Sequence, residues 1–151
     1  MSDFFSYSAS PTSPGDRESH PILGDLSGED WEKFIGYAAR RRYPAGAPIV
    51  EAGDRSRVLC FIASGQVRLR AGNGPVRTRG EGEVFGLLSF LDGAPSAVSV
   101  TVAPDAPAEL LMLSSEALSQ LAAWQPRIAM ALLRDLGEHL ATRLRRLQAE
   151  D

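Results

Sequence analysis

The sequence is poor in the residues that most often build covalent cross-links or metal sites. Its 151 residues include one cysteine, Cys60, and two histidines, His20 and His139. A single cysteine cannot form an internal disulfide, which suits a reducing compartment such as the cytoplasm. Cys60 lies in an apolar run and is predicted to be a small core residue, with a reactive thiol as the alternative. Two widely separated histidines predict no metal site.

Long apolar runs and a basic balance are also lacking. No run approaches the roughly 20 residues of a membrane span, and the first residues lack the apolar centre of a signal peptide. The net charge of −3 provides no positive field for nucleic acid. Arg40–Arg42 could form a small nucleic-acid patch, but a solvated junction between a helix and a strand is favoured. We therefore expect a cytoplasmic protein with no membrane contact and no DNA binding.

Signals for catalysis are poor. The sequence contains no phosphate-binding P-loop, no nucleophile elbow and no metal-ligand cluster. Glu81 and Glu83 stand beside glycines and are interpreted as polar turn residues rather than as an acid–base pair. Ser96 has no identifiable base. We predict that the protein is not an enzyme, with no catalytic residue, no metal and no cofactor.

Changes in residue composition and pattern divide the chain into three parts. Residues 1–20 are rich in Ser, Pro, Gly and Asp and are predicted to be a disordered tail. Residues 21–125 alternate short apolar runs with glycine and proline punctuation, which predicts a barrel with short helices. Residues 126–151 lack proline after Pro126 and predict one long C-terminal helix.

Alternating side chains define the middle part. Val67 and Leu69 alternate with arginines, and a second valine–polar alternation follows around Val100, as in strands with one buried face. Ser27 and Ser114 are placed to cap the helices on either side. The predicted fold class is α+β, mainly β: a small antiparallel β-barrel or jelly roll, flanked by an N-terminal helix and by C-terminal helices, the last one long.

The long C-terminal helix carries an apolar stripe that a small barrel cannot cover completely. Packing of the same helix from a second copy would cover the remainder, and a helix folded back on its own barrel is the alternative. We therefore predict a homodimer through this helix. The stripe also contains Ala129 and Leu133, and the candidate interface residues are Leu132, Leu136, Leu140, Leu144 and Leu147.

A strand–glycine–helix sequence lies near the middle of the chain. A short strand reaches Phe85, and Gly86 leads into an apolar helical turn at Leu87–Leu91. Backbone N–H groups at a helix start have no intrahelical partners, and glycine lets a ligand approach the backbone. This stretch is therefore the candidate binding site for an anion.

The same stretch resembles the phosphate-binding cassette of the cyclic nucleotide-binding domain family, and the resemblance extends from Leu23 to Gln148. In the family, a Glu after the glycine holds the ribose and an Arg after the proline pairs with the cyclic phosphate. Leu87 and Ser96 occupy those positions here. The candidate ligand-binding residues that the resemblance implies are Phe85, Gly86, Leu87, Leu88, Ser89, Pro95, Ser96 and Ala97.

The resemblance implies a stand-alone regulatory module that senses a small ligand or signals through an unidentified effector protein. Loss of the charged pair alone costs about 2–5 kcal/mol, so binding of cAMP or cGMP is not expected in the family's usual manner. Compensation would have to come from neighbouring strands, where the candidates are Arg68, Arg70, Arg77 and Arg79. The alternative is a ligand-free interaction scaffold with Leu87 and Leu88 as a docking patch.

The sequence ends after the long helix, where transcription factors of the catabolite activator type carry a helix-turn-helix. We therefore expect no autonomous sequence-specific DNA binding.

Overall fold

A computed structural model describes residues 22–150, with side chains up to residue 149. The predicted tail at residues 1–20 lies outside the described residues. The helices are α1 (Gly28–Ile35), α2 (Leu87–Asp92), α3 (Ser115–Trp124) and α4 (Pro126–Glu150), and the strands are β1 (Ala39–Tyr43), β2 (Pro48–Val50), β3 (Val58–Ser64), β4 (Val67–Arg70), β5 (Val76–Arg79), β6 (Val84–Phe85), β7 (Ser99–Val102) and β8 (Ala108–Ser114).

The strands form two antiparallel sheets of four strands each. One sheet has the order β1-β8-β3-β6 and the other has the order β2-β7-β4-β5. Strand β5 is therefore an edge of one sheet and β6 is an edge of the other, and only residues 80–83 connect them. The predicted mainly-β jelly roll is confirmed.

Apolar side chains fill the space between the sheets and beneath the helices. One core cluster lies between the sheets and includes Cys60, Val67 and Val100. The larger cluster joins the helices to the outer face of β3 and β8 and includes Phe34, Leu132 and Leu136. Alternating strands thus contribute to two cores, because successive side chains point to opposite faces.

Two predicted helix starts are confirmed. The Ser27 hydroxyl accepts a hydrogen bond from the Asp30 N–H at 3.1 Å, and the Ser114 hydroxyl accepts one from the Ala117 N–H at 3.0 Å. Each serine satisfies a backbone donor that the first helical turn leaves open. The triplet Arg40–Arg42 lies inside strand β1 and is exposed, so it extends the sheet rather than forming the expected junction.

Two polar contacts attach the N-terminal region to α4. The Arg127 guanidinium donates two hydrogen bonds to the Asp30 carboxylate, at 2.7 and 3.0 Å. The Leu23 N–H donates to the Asp135 carboxylate at 2.7 Å. The pKa of Asp30 is lowered, chiefly by the hydrogen bond from Arg127. Both contacts fall on the first three turns of α4 and fix this half of the helix to α1 and to the segment before it.

Helix α4 presents two faces with different roles. Ala129, Leu132 and Leu136 are buried against the barrel. A second row begins at Met130 and continues at intervals of three and four residues on a face rotated by roughly 90° from the first. Its members are Met130, Leu133, Gly137, Leu140, Leu144 and Leu147, and all but the half-buried Leu140 are exposed.

No helix in residues 22–150 combines the length and the apolar character that crossing a membrane requires.

Candidate functional site

The cassette is held by a glycine whose conformation the fold requires. Gly86 lies between β6 and α2 and has φ = 82°, in the left-handed region. A Cβ atom at this position would lie 2.6 Å from the carbonyl oxygen of Val58. Both the backbone angle and the contact with β3 exclude a side chain here. Gly86 therefore positions α2 independently of any ligand.

The three residues after Gly86 separate into different environments. Leu87 is buried at 5 % exposure and belongs to the larger core cluster, whereas Leu88 is 62 % exposed. Ser89 is half-buried. The family's carboxylate position is thus occupied by a side chain that packs into the protein interior. A docking patch built from both leucines is not what the structure shows, because Leu87 is not accessible.

The Ser96 side chain forms hydrogen bonds with the backbone of its own loop. Its hydroxyl donates to the Val98 carbonyl at 2.8 Å and accepts from the Val98 N–H at 3.3 Å. Two backbone hydrogen bonds of 2.8 Å join Ser96 to the β2–β3 loop, one with Gly53 and one with Asp54. The residue at the family's arginine position therefore closes a loop.

An arginine that the sequence did not single out braces the far end of α2. The Arg57 guanidinium donates to the Phe90 carbonyl at 3.0 and 3.2 Å and to the Leu91 carbonyl at 2.8 Å. A cation suits the negative end of a helix and supplies donors for its last carbonyls. Gly93, with φ = 75°, then ends the helix against the Arg57 side chain.

The other predicted cassette residues lie in the core between the sheets or on the protein surface. Phe85 is buried in the cluster between the sheets and pairs with Cys60 across β6 and β3. Pro95 and Ala97 are exposed on either side of Ser96. The cassette backbone is complete, but neither replaced position offers a charged group.

Strand pairing shows which of the four candidate arginines can reach the inner face of the sheet. Arg79 lies opposite Val67, and Arg77 lies opposite Leu69. Directly paired residues share a face, and Val67 is fully buried between the sheets. Arg77 and Arg79 therefore belong to the inner face of the sheet, where Arg79 is half-buried and Arg77, nearer the end of the edge strand, is exposed. The remaining two, Arg68 and Arg70, alternate onto the outer, solvent face.

Two residues of α4 extend the face that packs on the barrel. The spacing of Ala129, Leu132 and Leu136 continues to His139 and Arg143, which are half-buried. The pKa of His139 is lowered by burial and then by Arg143, Arg79 and Arg146. The pKa of Arg143 is lowered by burial and then by Arg79, Arg77 and Arg146. The arginines of β5 therefore act electrostatically on the end of α4.

A family model described as the cyclic nucleotide-binding domain matches residues 40–123, which is more than half of the chain. The chain belongs to the cyclic nucleotide-binding domain family. The matched residues include both sheets and the complete cassette.

Individual relatives agree with this assignment. Over 135 residues the chain is 36 % identical to a cyclic AMP receptor protein of Thermus thermophilus, a match that covers 86 % of this chain and 60 % of that protein. The crystal structure of the Thermus thermophilus catabolite activator protein superposes with a TM-score of 0.74 at 35 % identity, over 87 % of this chain and 61 % of that one. This chain therefore spans about three fifths of that relative's length.

Two further relatives show that the domain occurs in different contexts. A cyclic nucleotide-binding domain from Methylobacillus flagellatus superposes with a TM-score of 0.72 at 27 % identity, over 83 % of this chain and 72 % of that one. Glutaminase 2 of Bradyrhizobium diazoefficiens is 27 % identical over 124 residues, which cover 82 % of this chain and 19 % of the enzyme. Four fifths of the glutaminase thus lie outside the match.

The structure divides the predicted dimer interface of this cyclic nucleotide-binding domain. Leu132 and Leu136 have 0 % exposure and pack against their own barrel, so they are not available to a second chain. Leu140 is half-buried, and Leu144 and Leu147 are each 59 % exposed. Two positions of the predicted interface therefore belong to the intramolecular core.

The described residues offer no group of three metal-ligating side chains. Cys60 is buried, and burial raises the pKa of its thiol to about 12. The thiolate, which is the reactive form, is therefore suppressed at neutral pH, in line with the predicted core role of this cysteine.

Substitution of Gly86 will damage the fold before it reports on any ligand. We expect Gly86→Ala to lower the free energy of unfolding by about 3–4 kcal/mol, because the new Cβ must displace the β3 backbone. Gly82→Ala is the matched control, since Gly82 has φ = 85° but open space around its Cβ. This control should lose only about 1–2 kcal/mol. Equal losses in urea denaturation would contradict the assigned contact with Val58.

His139 should make stability depend on pH. Its pKa is lowered in the folded protein, so the unfolded chain binds a proton first as the pH falls through the ordinary histidine range near 6.5. The free energy of unfolding should therefore decrease between pH 7.5 and 5.5. Urea denaturation across this range should give a weaker pH dependence for His139→Gln, which keeps all carboxylates of the wild type. Identical profiles would show that His139 is not perturbed.

Proposed function

We propose that this chain is a non-enzymatic regulatory module that senses a small ligand at its cassette or signals through a partner protein. The observation that carries the proposal is the complete cassette backbone, with Gly86 in the left-handed conformation and α2 directly after it. Family membership supports a regulatory role, since Thermus thermophilus has a receptor protein with this domain.

The cassette side chains argue against cAMP or cGMP as the expected ligand. A ribose hydroxyl would meet no carboxylate at Leu87, and a cyclic phosphate would meet no guanidinium at Ser96. Both residues are used by the fold, one in the core and one in a loop. We infer that a ligand of different shape or charge occupies the site.

The core provides a route from the cassette to the long helix. Leu87 of α2 and Leu132 and Leu136 of α4 belong to one continuous apolar cluster, against which Leu91 and Leu140 also pack. Close-packed interiors transmit displacements rather than absorb them. A ligand that moves α2 would therefore alter the packing of α4, which is the element we propose for output to an effector protein.

We further propose that α4 forms a homodimer through its outer row. This outer row is spaced at alternating intervals of three and four residues, which is the spacing of a two-helix seam. Its members are Met130, Leu133, Gly137, Leu140, Leu144 and Leu147. An apolar groove at the beginning of the row, lined by Ala122, Pro126, Met130 and neighbouring residues, continues it towards α3. A second copy of the same helix fits this self-complementary surface.

One observation favours a second function, in which the cassette is a structural remnant and the module is a ligand-free interaction scaffold. Leu87 and Ser96 are both satisfied within the fold, so the cassette is stable without a ligand. In that case Leu88 alone remains exposed at the start of α2 as a docking residue.

A thermal-shift screen separates these two functions. We expect one member of a set containing cAMP, cGMP, cyclic dinucleotides and simple phosphates, each at millimolar concentration, to raise the melting temperature by several degrees. Ligand at about 100 times its dissociation constant contributes about 2.7 kcal/mol to stability. A flat response across the whole set would exclude the sensor and favour the scaffold.

The matched variants for this screen change Leu88, which is exposed and so can be replaced without disturbing the core. Leu88→Glu places a negative charge beside the cassette and should abolish the response to an anionic ligand. Leu88→Gln has the same size without the charge and should retain it. Loss of the response in both variants would indicate a contact with the leucine side chain rather than with an anion.

The dimer proposal is tested by light scattering. Leu144→Glu should shift the protein from dimer to monomer at micromolar concentration, because two carboxylates would face each other within an apolar seam. Thr142→Glu adds the same charge on the opposite side of the helix and should remain dimeric. A wild-type protein that is monomeric at high concentration would overturn the proposal.

A further inference from the structure

Two arginines of strand β5 lie within electrostatic range of a histidine and an arginine on the distal part of α4. Arg77 and Arg79 come from β5, and His139 and Arg143 come from α4. We call these four residues the β5–α4 cluster. Arg146 contributes a further positive charge nearby.

The strand half of the cluster interrupts an apolar surface. On the inner face of their sheet, Val102 and Val100 of β7 lie beside Val67 and Leu69 of β4. The next residues across are Arg79 and Arg77 of the edge strand. Inner positions of a small barrel are ordinarily filled by apolar side chains. Two adjacent arginines at the end of such a row indicate that this edge faces something charged.

The helix half shows the same interruption. Along the barrel-facing side of α4, the buried Leu132 and Leu136 are followed by His139 and Arg143. His139 and Arg143 are half-buried. A helix that covers a barrel would ordinarily carry leucine at these two positions. Both elements thus change from apolar to cationic side chains, β5 at Arg77 and Arg79 and α4 at His139 and Arg143.

The cluster lacks internal neutralisation. Among residues 22–149, the side chains of Arg77, Arg79, His139 and Arg143 form no ion pair and no hydrogen bond. The charges that act on Arg143 are those of other arginines. Arg79, His139 and Arg143 are half-buried, whereas Arg77 is exposed. Like charges near one another repel, most strongly where they are partly desolvated, and an anion between them would remove that repulsion.

The cluster lies on the cassette side of the barrel. Strand β5 is the edge of one sheet and β6 is the edge of the other, and residues 80–83 connect them. Gly86 and α2 follow β6 directly. The open side of the barrel therefore has the cassette backbone on one sheet and the two inner-face arginines on the other.

We propose that the β5–α4 cluster binds the phosphate groups of a small molecule that carries two or more negative charges. This inference deepens the proposed sensor function and rests on it: the positive charge that the cassette lacks at Ser96 is supplied by β5 and α4. Guanidinium groups bind phosphate oxygens in bidentate fashion, and three of them exceed the need of a singly charged cyclic nucleotide. A bound polyanion would join the distal part of α4 to the sheet.

Inorganic pyrophosphate is the probe for the test, with inorganic phosphate and cAMP compared at constant ionic strength. Pyrophosphate should raise the melting temperature of the wild-type chain, with inorganic phosphate weaker and cAMP weakest. Arg79→Gln and Arg143→Gln should each weaken pyrophosphate binding roughly tenfold or more in titration calorimetry. Arg68→Gln and Arg145→Gln remove the same charge on the outer sheet face and on the opposite side of α4, and should bind as the wild type does.

A second readout separates a binding site from a merely structural role. Without any ligand, Arg79→Gln and Arg143→Gln should melt at higher temperature than the wild type, because each removes repulsion. Added sodium chloride should stabilise the wild type more than it stabilises either variant. If both variants instead melt at lower temperature, the two arginines support the fold and the inference is wrong.

The failure of the inference differs from the failure of the sensor function. If pyrophosphate does not bind, or binds equally to wild type and cluster variants, the inference is overturned. A response to another member of the screened set that Leu88→Glu abolishes would then leave the sensor standing with a different ligand. A flat response to every compound would overturn both.

Discussion

The packing of α4 against the barrel is the contact that determines most of what this molecule presents to its surroundings. Leu132 and Leu136 are completely buried in the shared core, so the rotation of the helix about its axis is fixed. This rotation places one row of apolar side chains on the outside. It also leaves His139 and Arg143 half-buried, within electrostatic range of the β5 arginines. A different rotation would bury the outer row and expose both cations.

The cassette shows how a framework can be retained while its chemistry changes. Gly86 is required by its contact with Val58, and Arg57 braces the last carbonyls of α2. These interactions hold the loop in shape without a ligand. Leu87 and Ser96 could therefore replace charged residues without loss of the fold, since each found partners within the protein.

The sequence predicted the fold well because the relevant signals are local. Ser27 and Ser114 cap helices within three residues of themselves, and glycines mark turns whose backbone angles only they adopt comfortably. Valine alternation identified the strands. The cassette glycine was identifiable from the strand before it and the helix after it, although its close approach to Val58 depends on the more distant strand β3.

Side-chain contacts between residues that are far apart in the sequence could not be predicted in the same way. Asp30 lies three residues after the cap Ser27, but its carboxylate pairs with Arg127, 97 positions away. The apolar residues of α4 were interpreted as one stripe, although they form two faces. The interval pattern from Ala129 to Arg143 was available in the sequence. The placement of Arg77 and Arg79 required the strand register, which no single segment encodes.

The two polar contacts between the N-terminal region and α4 divide the long helix into an anchored half and a distal half. Asp30 and the Leu23 N–H secure its first three turns through Arg127 and Asp135. Gly137 follows, with open space where a side chain would be and the weakest helix propensity apart from proline. Beyond Gly137 the helix has fewer contacts with its own barrel, because Leu140 packs against the larger core cluster whereas Leu144 and Leu147 are exposed. A displacement of α4 that preserves the contacts of Arg127 and Asp135 would therefore be largest at the C-terminal end of the helix.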